Sequence, residues 1–224
     1  MPGLWLLLTM GLFIIADALY RKGGCRAWLH PTMLPTIVLI VLFYLTDLSY
    51  VGFVAETHIL YAGLLAAVAA LAVPLFRNLQ VLRAEKAAVI AAITAGSVSG
   101  VGTATGIIWL LNGPGGLYAS VVTKSVTTPI AVTVADAIGG SQALAAAVVI
   151  VTGLSAAICG PWILNRLGVD DEAQMGVALG TAGHAIGMAE AVRRSELMGA
   201  SAAFAMAANG LATAIVMPLL WRVL

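Results

Sequence analysis

Asn112-Gly-Pro-Gly-Gly-Leu-Tyr-Ala-Ser-Val-Val-Thr-Lys124-Ser-Val-Thr-Thr-Pro129-Ile-Ala-Val-Thr-Val-Ala-Asp136-Ala-Ile-Gly-Gly140 is the stretch on which the reading of this chain turns. A breaker cluster opens it, a glycine pair closes it, and the apolar segment between them holds a lysine and a proline. A bilayer crossing takes about 20 apolar residues, so Leu117 to Ile138 is long enough to span. Lys124 opposes that reading, because a lysine at the bilayer centre costs about 2.5–3.5 kcal/mol on insertion scales. Pro129 cannot donate to a helical ladder and releases the carbonyl of Ser125, four residues earlier. The segment therefore either crosses as an interrupted helix or enters the membrane and returns.

The rest of the sequence supplies the membrane. Charged residues make up 9% of the 224 positions and hydrophobic ones 61%, against roughly 25% charged in a soluble domain. So few charges cannot solvate a globular surface, which excludes a soluble cytoplasmic enzyme. The charge-free runs are 37 residues from Ala87 to Thr123, 29 from Ala137 to Asn165, and 25 from Leu197 to Trp221. Continuous runs of this kind predict helices rather than the alternation of a membrane barrel. A net charge of +1 without a basic stripe leaves no nucleic-acid footprint. Cys25 and Cys159 read as free thiols, one in a basic loop and one in an apolar run.

The fold class expected is an all-α polytopic membrane protein with about eight hydrophobic segments. They run over residues 3–20, 31–48, 59–76, 87–111, 117–138, 144–164, 173–192 and 200–221. Segment one carries its basic residues after the apolar run, unlike a cleaved signal peptide. An offset of 113 residues lays Gly63–Pro74 over Gly176–Gly187 and gives every first-half segment a hydrophobic counterpart. The expected organisation is two structural repeats, 1–112 and 113–224, in a single membrane unit. Repeated transporters place their site at the repeat interface, among interrupted or re-entrant helices whose free ends attract ions, and the Gly/Pro-interrupted segments here are the third and seventh, around Ala66–Pro74 and Gly180–Gly187. The positive-inside rule gives the same 8-to-2 tally whether 117–138 crosses or re-enters, so charge counting leaves inverted and parallel repeats both open.

Lys124 needs a counterion, a water-filled cavity or an anionic ligand, unless it snorkels to the interface as an anchor. Ser125, Thr127 and Thr128 add hydroxyls beside it, and together they suit a small carboxylate. His184, in Gly180-Thr-Ala-Gly-His-Ala-Ile-Gly187, is the second candidate, with Thr181 one turn away on the same face. A structural hydrogen bond is the competing reading for His184; a proton-coupling role is open to it through its titration range. Asp17 and Asp47 read as interfacial, Asp136 as a loop residue or a partner for Lys124, and Asn209 as a bridge between helices. Gly96/Gly100, Gly102/Gly106 and Gly183/Gly187 have the spacing that lets helices approach closely, mainly a packing device. No metal motif, cofactor motif or paired acid and base is present, so neither a catalytic site nor a cofactor is expected.

Lys124-Ser-Val-Thr-Thr-Pro-Ile-Ala131 with Ile138-Gly-Gly140, Ala178-Leu-Gly-Thr-Ala-Gly-His-Ala-Ile-Gly187, and Ala72-Val-Pro-Leu-Phe76 together resemble the LrgB/CidB family, in the right order and across residues 30–218. The departures are Ala66-Ala67 where Gly-Pro is common, Gly183 in place of a serine, and Met188 in place of a threonine. They remove hydroxyls near His184. The resemblance implies a multi-pass protein of the bacterial inner membrane. It also implies one of two functions. One is holin/antiholin-like modulation of murein hydrolases and autolysis with a small LrgA/CidA-type membrane partner. The other is movement of small organic acids, as in the related plastid glycolate/glycerate translocator and in bacterial pyruvate handling. The leading expectation is a secondary transporter of small monocarboxylates, with Lys124, Ser125, Thr127, Thr128, Thr181 and His184 as the substrate-binding set. The glycine faces are compatible with a homodimer in the lipid bilayer.

Overall fold

The computed structural model describes residues 3–23, 29, 31–46, 48–70, 72–77 and 79–223. Among them every regular element is a helix. α1 (Leu4–Lys22), α2 (Met33–Leu45) and α3 (Tyr50–Ala70) lie in one compact unit, residues 1–70. The second unit, 71–224, holds α4 (Ala72–Arg77), α5 (Leu79–Ala84), α6 (Lys86–Leu110), α7 (Gly115–Val121), α8 (Thr128–Ala137), α9 (Gln142–Arg166), α10 (Glu172–Arg194) and α11 (Glu196–Trp221). Four described helices, α1, α6, α9 and α11, are long and apolar enough to cross a membrane. The compact units part near residue 70, whereas the expected duplication divides the chain at 112; packing and sequence order are separate criteria.

In the first unit Trp5 stacks on Phe43 at 5.3 Å and meets Phe53 edge-on at 5.6 Å. The start of α1 therefore sits beside the end of α2 and the start of α3. Glu56 of α3 accepts the backbone N–H groups of Gly3 and Trp5, both at 3.1 Å. A carboxylate there satisfies donors that a helix start leaves free and complements its dipole. Asp17 pairs with Arg21 one turn on, at 2.7 Å. Asp47 and Cys25 lie outside the described residues.

The second unit is organised by two helical hairpins. α10 has 23 residues and as a straight rod would separate its ends by about 34 Å. Instead Ser195, just past its end, donates its hydroxyl to Glu172 at its start, at 2.7 Å. Gly187 lies so close to the backbone of Leu179 that no Cβ fits between them. The fold-back is at His184, with φ 42° and ψ −132°, values near the first central residue of a type II′ turn. Segment seven is thus a hairpin with legs 172–183 and 185–194, its break lying within the Gly180–Gly187 stretch where an interruption is expected.

α7 and α8 form the other hairpin. Ala119 of its first leg and Val122, just past that leg, pack with Val134 of the second leg and Ile138 at its end. Ser120 accepts the N–H of Ser141, beyond the second leg, at 2.8 Å. The unwound tip, 122–127, carries Lys124, so segment five enters and returns.

Helix contacts give the directions. α6 runs parallel to the first leg of α10, with Val89 and Ile93 beside Val177 and Gly96 against Thr181. α9 runs antiparallel to that leg, Gly160 meeting Leu179 and Gly153 meeting His184. α11 runs parallel to it, with Gly176 against Met198 and Gly180 against Ala202. The start of α6, the end of α9, both ends of α10 and the start of α11 therefore share one end. The α7–α8 hairpin enters from the opposite end. Because neither hairpin changes sides, the charge tie within this unit disappears: Arg83, Lys86, Arg166, Arg193 and Arg194 lie at the first end, and Arg222 at the other. Arg77 joins the first group through its ion pair with Glu196, at 3.9 Å.

Hairpin and following helix occur twice, in opposite directions. Ser141 caps the N-terminus of α9 and Ser195 that of α11, each accepting a backbone N–H three residues on. Each of these helices also has a proline towards its end, Pro161 and Pro218.

Candidate functional site

The two hairpin tips converge beside the middle of α6. A Cβ added at Gly96 would lie 3.1 Å from Thr181 Cγ2, and one at Gly100 would lie 3.5 Å from Lys124 Nζ. This half of the glycine series brings the tips close, whereas Gly102 and Gly106 face open space. Lys124 is half-buried. Its Nζ donates to Ser125 Oγ at 3.3 Å, and no carboxylate among the described residues pairs with it. Asp136, the partner weighed from sequence, instead accepts from Gln142 Nε2 at 2.8 Å.

Lys124 and Ser125 stand in the wall of a 560 Å³ cavity between α6 and the first leg of α10, together with Thr181. The same cavity is lined by Glu85 and Gln174 at the basic end of the unit. A second groove of 590 Å³, between α6 and α9, shares Thr103, Lys124, Ala178 and Ala182 with it and carries the exposed thiol of Cys159. An amine without a counterion and a serine hydroxyl give this region an affinity for anions. Because Lys124 donates to Ser125 Oγ, the serine proton is left for a ligand. Thr181 differs: its hydroxyl donates to the Val177 carbonyl at 2.8 Å and its methyl faces Gly96, so it shapes the wall.

The remaining expected site residues are elsewhere. Thr127 is the N-cap residue of α8, without a side-chain cap, and Thr128 opens that helix. Neither lines the cavities described above. His184 is 2% exposed, and its Nε2 donates to the Val149 carbonyl of α9 at 3.0 Å. A carbonyl can only accept, so that nitrogen carries the proton and Nδ1 faces the protein without a hydrogen-bond partner. The ring packs where a side chain on Gly153 would otherwise be. Its place is that of an anchor holding the second hairpin on α9.

Asn209 ranked low in the sequence but ties the site together. It is 1% exposed. Its Nδ2 donates to the carbonyls of Ser125 at 2.8 Å and Thr181 at 3.1 Å, one from each hairpin. Ser97 Oγ of α6 lies 2.6 Å from its Oδ1. The carbonyl of Ser125 is thus free of a helical ladder, as Pro129 implied, and is taken by a side chain 84 residues away. The available signal was an asparagine inside a charge-free span, where an unpaired amide is expensive. No group of three His, Cys, Asp or Glu residues suited to a metal occurs among the described residues.

A sequence model described as the LrgB-like family matches residues 9–223. The chain belongs to that family. It is 32% identical over 216 residues to "Uncharacterized protein YwbG" of Bacillus subtilis (strain 168), covering 96% of this chain and 95% of that protein. "Antiholin-like protein LrgB" of the same organism is 26% identical over 220 residues, 97% of this chain and 94% of the relative. "Holin-like protein CidB" of Staphylococcus epidermidis (strain RP62A) is 23% identical over 217 residues, with 97% and 94% covered. No solved structure matches. This LrgB-family chain is therefore a multi-pass helical membrane protein whose relatives bear holin-like and antiholin-like names.

Proposed function

We propose that this LrgB-family protein is a secondary transporter of small monocarboxylates of the glycolate, glycerate or pyruvate kind, bound at Lys124 beside the paired hairpin tips. The observation that carries the reading is a cavity-lining lysine, level with the middle of a spanning helix, that pairs with no described carboxylate. A buried cation with no role would be selected against, since burying it costs several kcal/mol (about 2.5–3.5 on insertion scales). A carboxylate on Nζ, accepting from Ser125 Oγ, offsets that cost. Hairpins entering from opposite ends belong to the architecture by which transporters expose one site alternately to each side. The positive-inside rule makes the end bearing Arg83, Lys86, Arg166, Arg193 and Arg194 cytoplasmic, with the bacterial inner membrane as the location. The duplication of residues 1–112 over 113–224 is part of this proposal.

The second reading is favoured by the holin-like and antiholin-like names of the relatives: a membrane protein that, as the family resemblance implies, modulates murein hydrolases with a small membrane partner. It has no need of Lys124. Reconstitution of the purified protein in proteoliposomes separates the two. Uptake of labelled glycolate, glycerate or pyruvate is expected in the wild type and at least about tenfold less in Lys124→Met, equivalent to about 1.4 kcal/mol. No carboxylate uptake by the wild type, together with an autolysis phenotype that Lys124→Met leaves intact in cells, would replace the transport reading with the holin-like one.

A further inference from the structure

The hydrogen bonds around Asn209 do not balance. Ser97 Oγ lies 2.6 Å from the Ile93 carbonyl and 2.6 Å from Asn209 Oδ1, yet a serine has one proton to donate. With the amide turned this way, one of those short oxygen–oxygen contacts lacks its own proton. The oxygen and nitrogen of an asparagine are told apart by their hydrogen-bond network, so the opposite orientation must be weighed. Turned over, the amide nitrogen donates to Ser97 Oγ and Ser97 donates to Ile93, which satisfies α6. The amide oxygen then faces the carbonyls of Ser125 and Thr181, at the positions now 2.8 and 3.1 Å from nitrogen. Three oxygens converge with no proton among them. The first orientation leaves one strained oxygen–oxygen contact at Ser97, and the second leaves three oxygens that a cation would satisfy.

We infer that Asn209 Oδ1, the Ser125 carbonyl and the Thr181 carbonyl form a binding site for a small monovalent cation of the Na⁺ class, with the amide turned so that its nitrogen meets both carbonyls when the cation is absent. The ligand set is all oxygen, which selects a hard cation, and carries no carboxylate, which disfavours a divalent one. Both carbonyls come from interrupted segments. Ser125 lies in the unwound tip of the first hairpin, and the helical partner of Thr181 would be Ala185, beyond the turn at His184. Carbonyls of this origin are where transporters hold coupling cations. Access is available from two sides: Ser125 and Thr181 line the 560 Å³ cavity, while Ser97, Ser125 and Asn209 line a 430 Å³ crevice on the other side of α6. Ser125 serves both sites, its carbonyl for the cation and its hydroxyl beside Lys124. An anion on Lys124 therefore screens the cation from the ammonium, and each ligand raises the other's affinity by the same factor.

The inference rests on the proposed transport reading for its role, but its test reads binding alone. The melting temperature of the purified full-length protein is followed while NaCl replaces N-methylglucamine chloride at constant ionic strength, with KCl as a parallel series. The expected result is a saturable rise with NaCl that KCl does not match. Asn209→Leu abolishes the rise, and Ser97→Ala, which leaves the turned amide without its partner, weakens apparent Na⁺ affinity about 10- to 100-fold. Identical melting in NaCl and N-methylglucamine chloride overturns the site, as does an equal rise in KCl or a Na⁺ response unchanged in Ser97→Ala. The last criterion stands alone if Asn209→Leu does not fold. A Na⁺-specific rise in a protein that takes up no carboxylate keeps this site and removes the transport reading. Carboxylate uptake through Lys124 without any Na⁺-specific rise does the reverse.

Discussion

The two hairpins solve the same topological problem with opposite chemistry. Both enter the second unit, turn near the middle of α6 and return, and both hand the chain to a serine-capped spanning helix. The first turns through an unwound tip, 122–127, that holds Lys124 and Ser125 against a cavity. The second turns at one residue, His184, whose ring is buried against α9. One tip presents polar groups and the other secures them. The difference follows from what flanks each turn. Pro129 stops the first hairpin from continuing as helix, whereas Gly176, Gly180 and Gly187 let the second press backbone to backbone on α11 and on itself.

Close packing makes the second hairpin the more fragile scaffold. A Cβ at Gly180 would fall within 2.7 Å of Ala202 Cα. Gly180→Val should therefore cost at least the 1–3 kcal/mol of ordinary overpacking, about the same as the loss of a buried hydrogen bond or more. Thermal unfolding in detergent checks this, and a melting temperature equal to that of the wild type would show that α10 and α11 are not so close. The matching change in the first hairpin's surroundings, Gly102→Val on the open face of α6, should be nearly silent.

His184 offers a finer comparison, because its backbone favours glycine while its side chain makes the anchor. Strain of this kind costs about 1–3 kcal/mol, and leaving the Val149 contact unmade costs a similar amount. His184→Ala keeps the strain and loses the anchor, so it should destabilise by about 1–3 kcal/mol. His184→Gly loses the same anchor but relieves the strain, and should melt above His184→Ala. The reverse order would mean that the turn is not where the fold bends.

The smallest effect expected is at the hairpin exits. Ser195→Ala removes the N-cap of α11 and the hydroxyl bonded to Glu172, and should cost about 1 kcal/mol. Ser141→Ala removes the N-cap of α9 but leaves the Ser120 contact, which uses the Ser141 backbone, and should cost less. Equal losses in chemical denaturation would indicate that the Ser195–Glu172 bond adds nothing to the cap.

Much of this was legible in the residues. Helical membrane character followed from charge-free runs, and the interruption at Lys124 and Pro129 from the cost of a buried cation and a missing donor. An interruption within Gly180–Gly187 is legible from its glycines, but a reversal of direction there is not, since an interrupted helix can also cross; only a long-range bond such as Ser195 to Glu172 distinguishes the two. Treating that segment as a crossing is also what made the charge count tie. Of the six residues expected to share a site, Lys124, Ser125 and Thr181 share a cavity while Thr127, Thr128 and His184 do not line it; the commitments of each hydroxyl are not legible, since a proton's acceptor is a matter of tertiary geometry. Asn209 reads from the sequence as a bridge between helices and is one, but what it bridges is not legible, because its two carbonyl partners lie 84 and 28 residues away.

The most direct test of the contrast between a presenting tip and a securing tip is ligand stabilisation of the purified protein by glycolate, glycerate, pyruvate and lactate. A bound acid at 100 times its Kd stabilises by about 2.7 kcal/mol. The account predicts such a rise in wild type, its loss in Lys124→Met, and its retention in a folded His184→Gly. A rise that survives Lys124→Met and disappears in His184→Gly would contradict it.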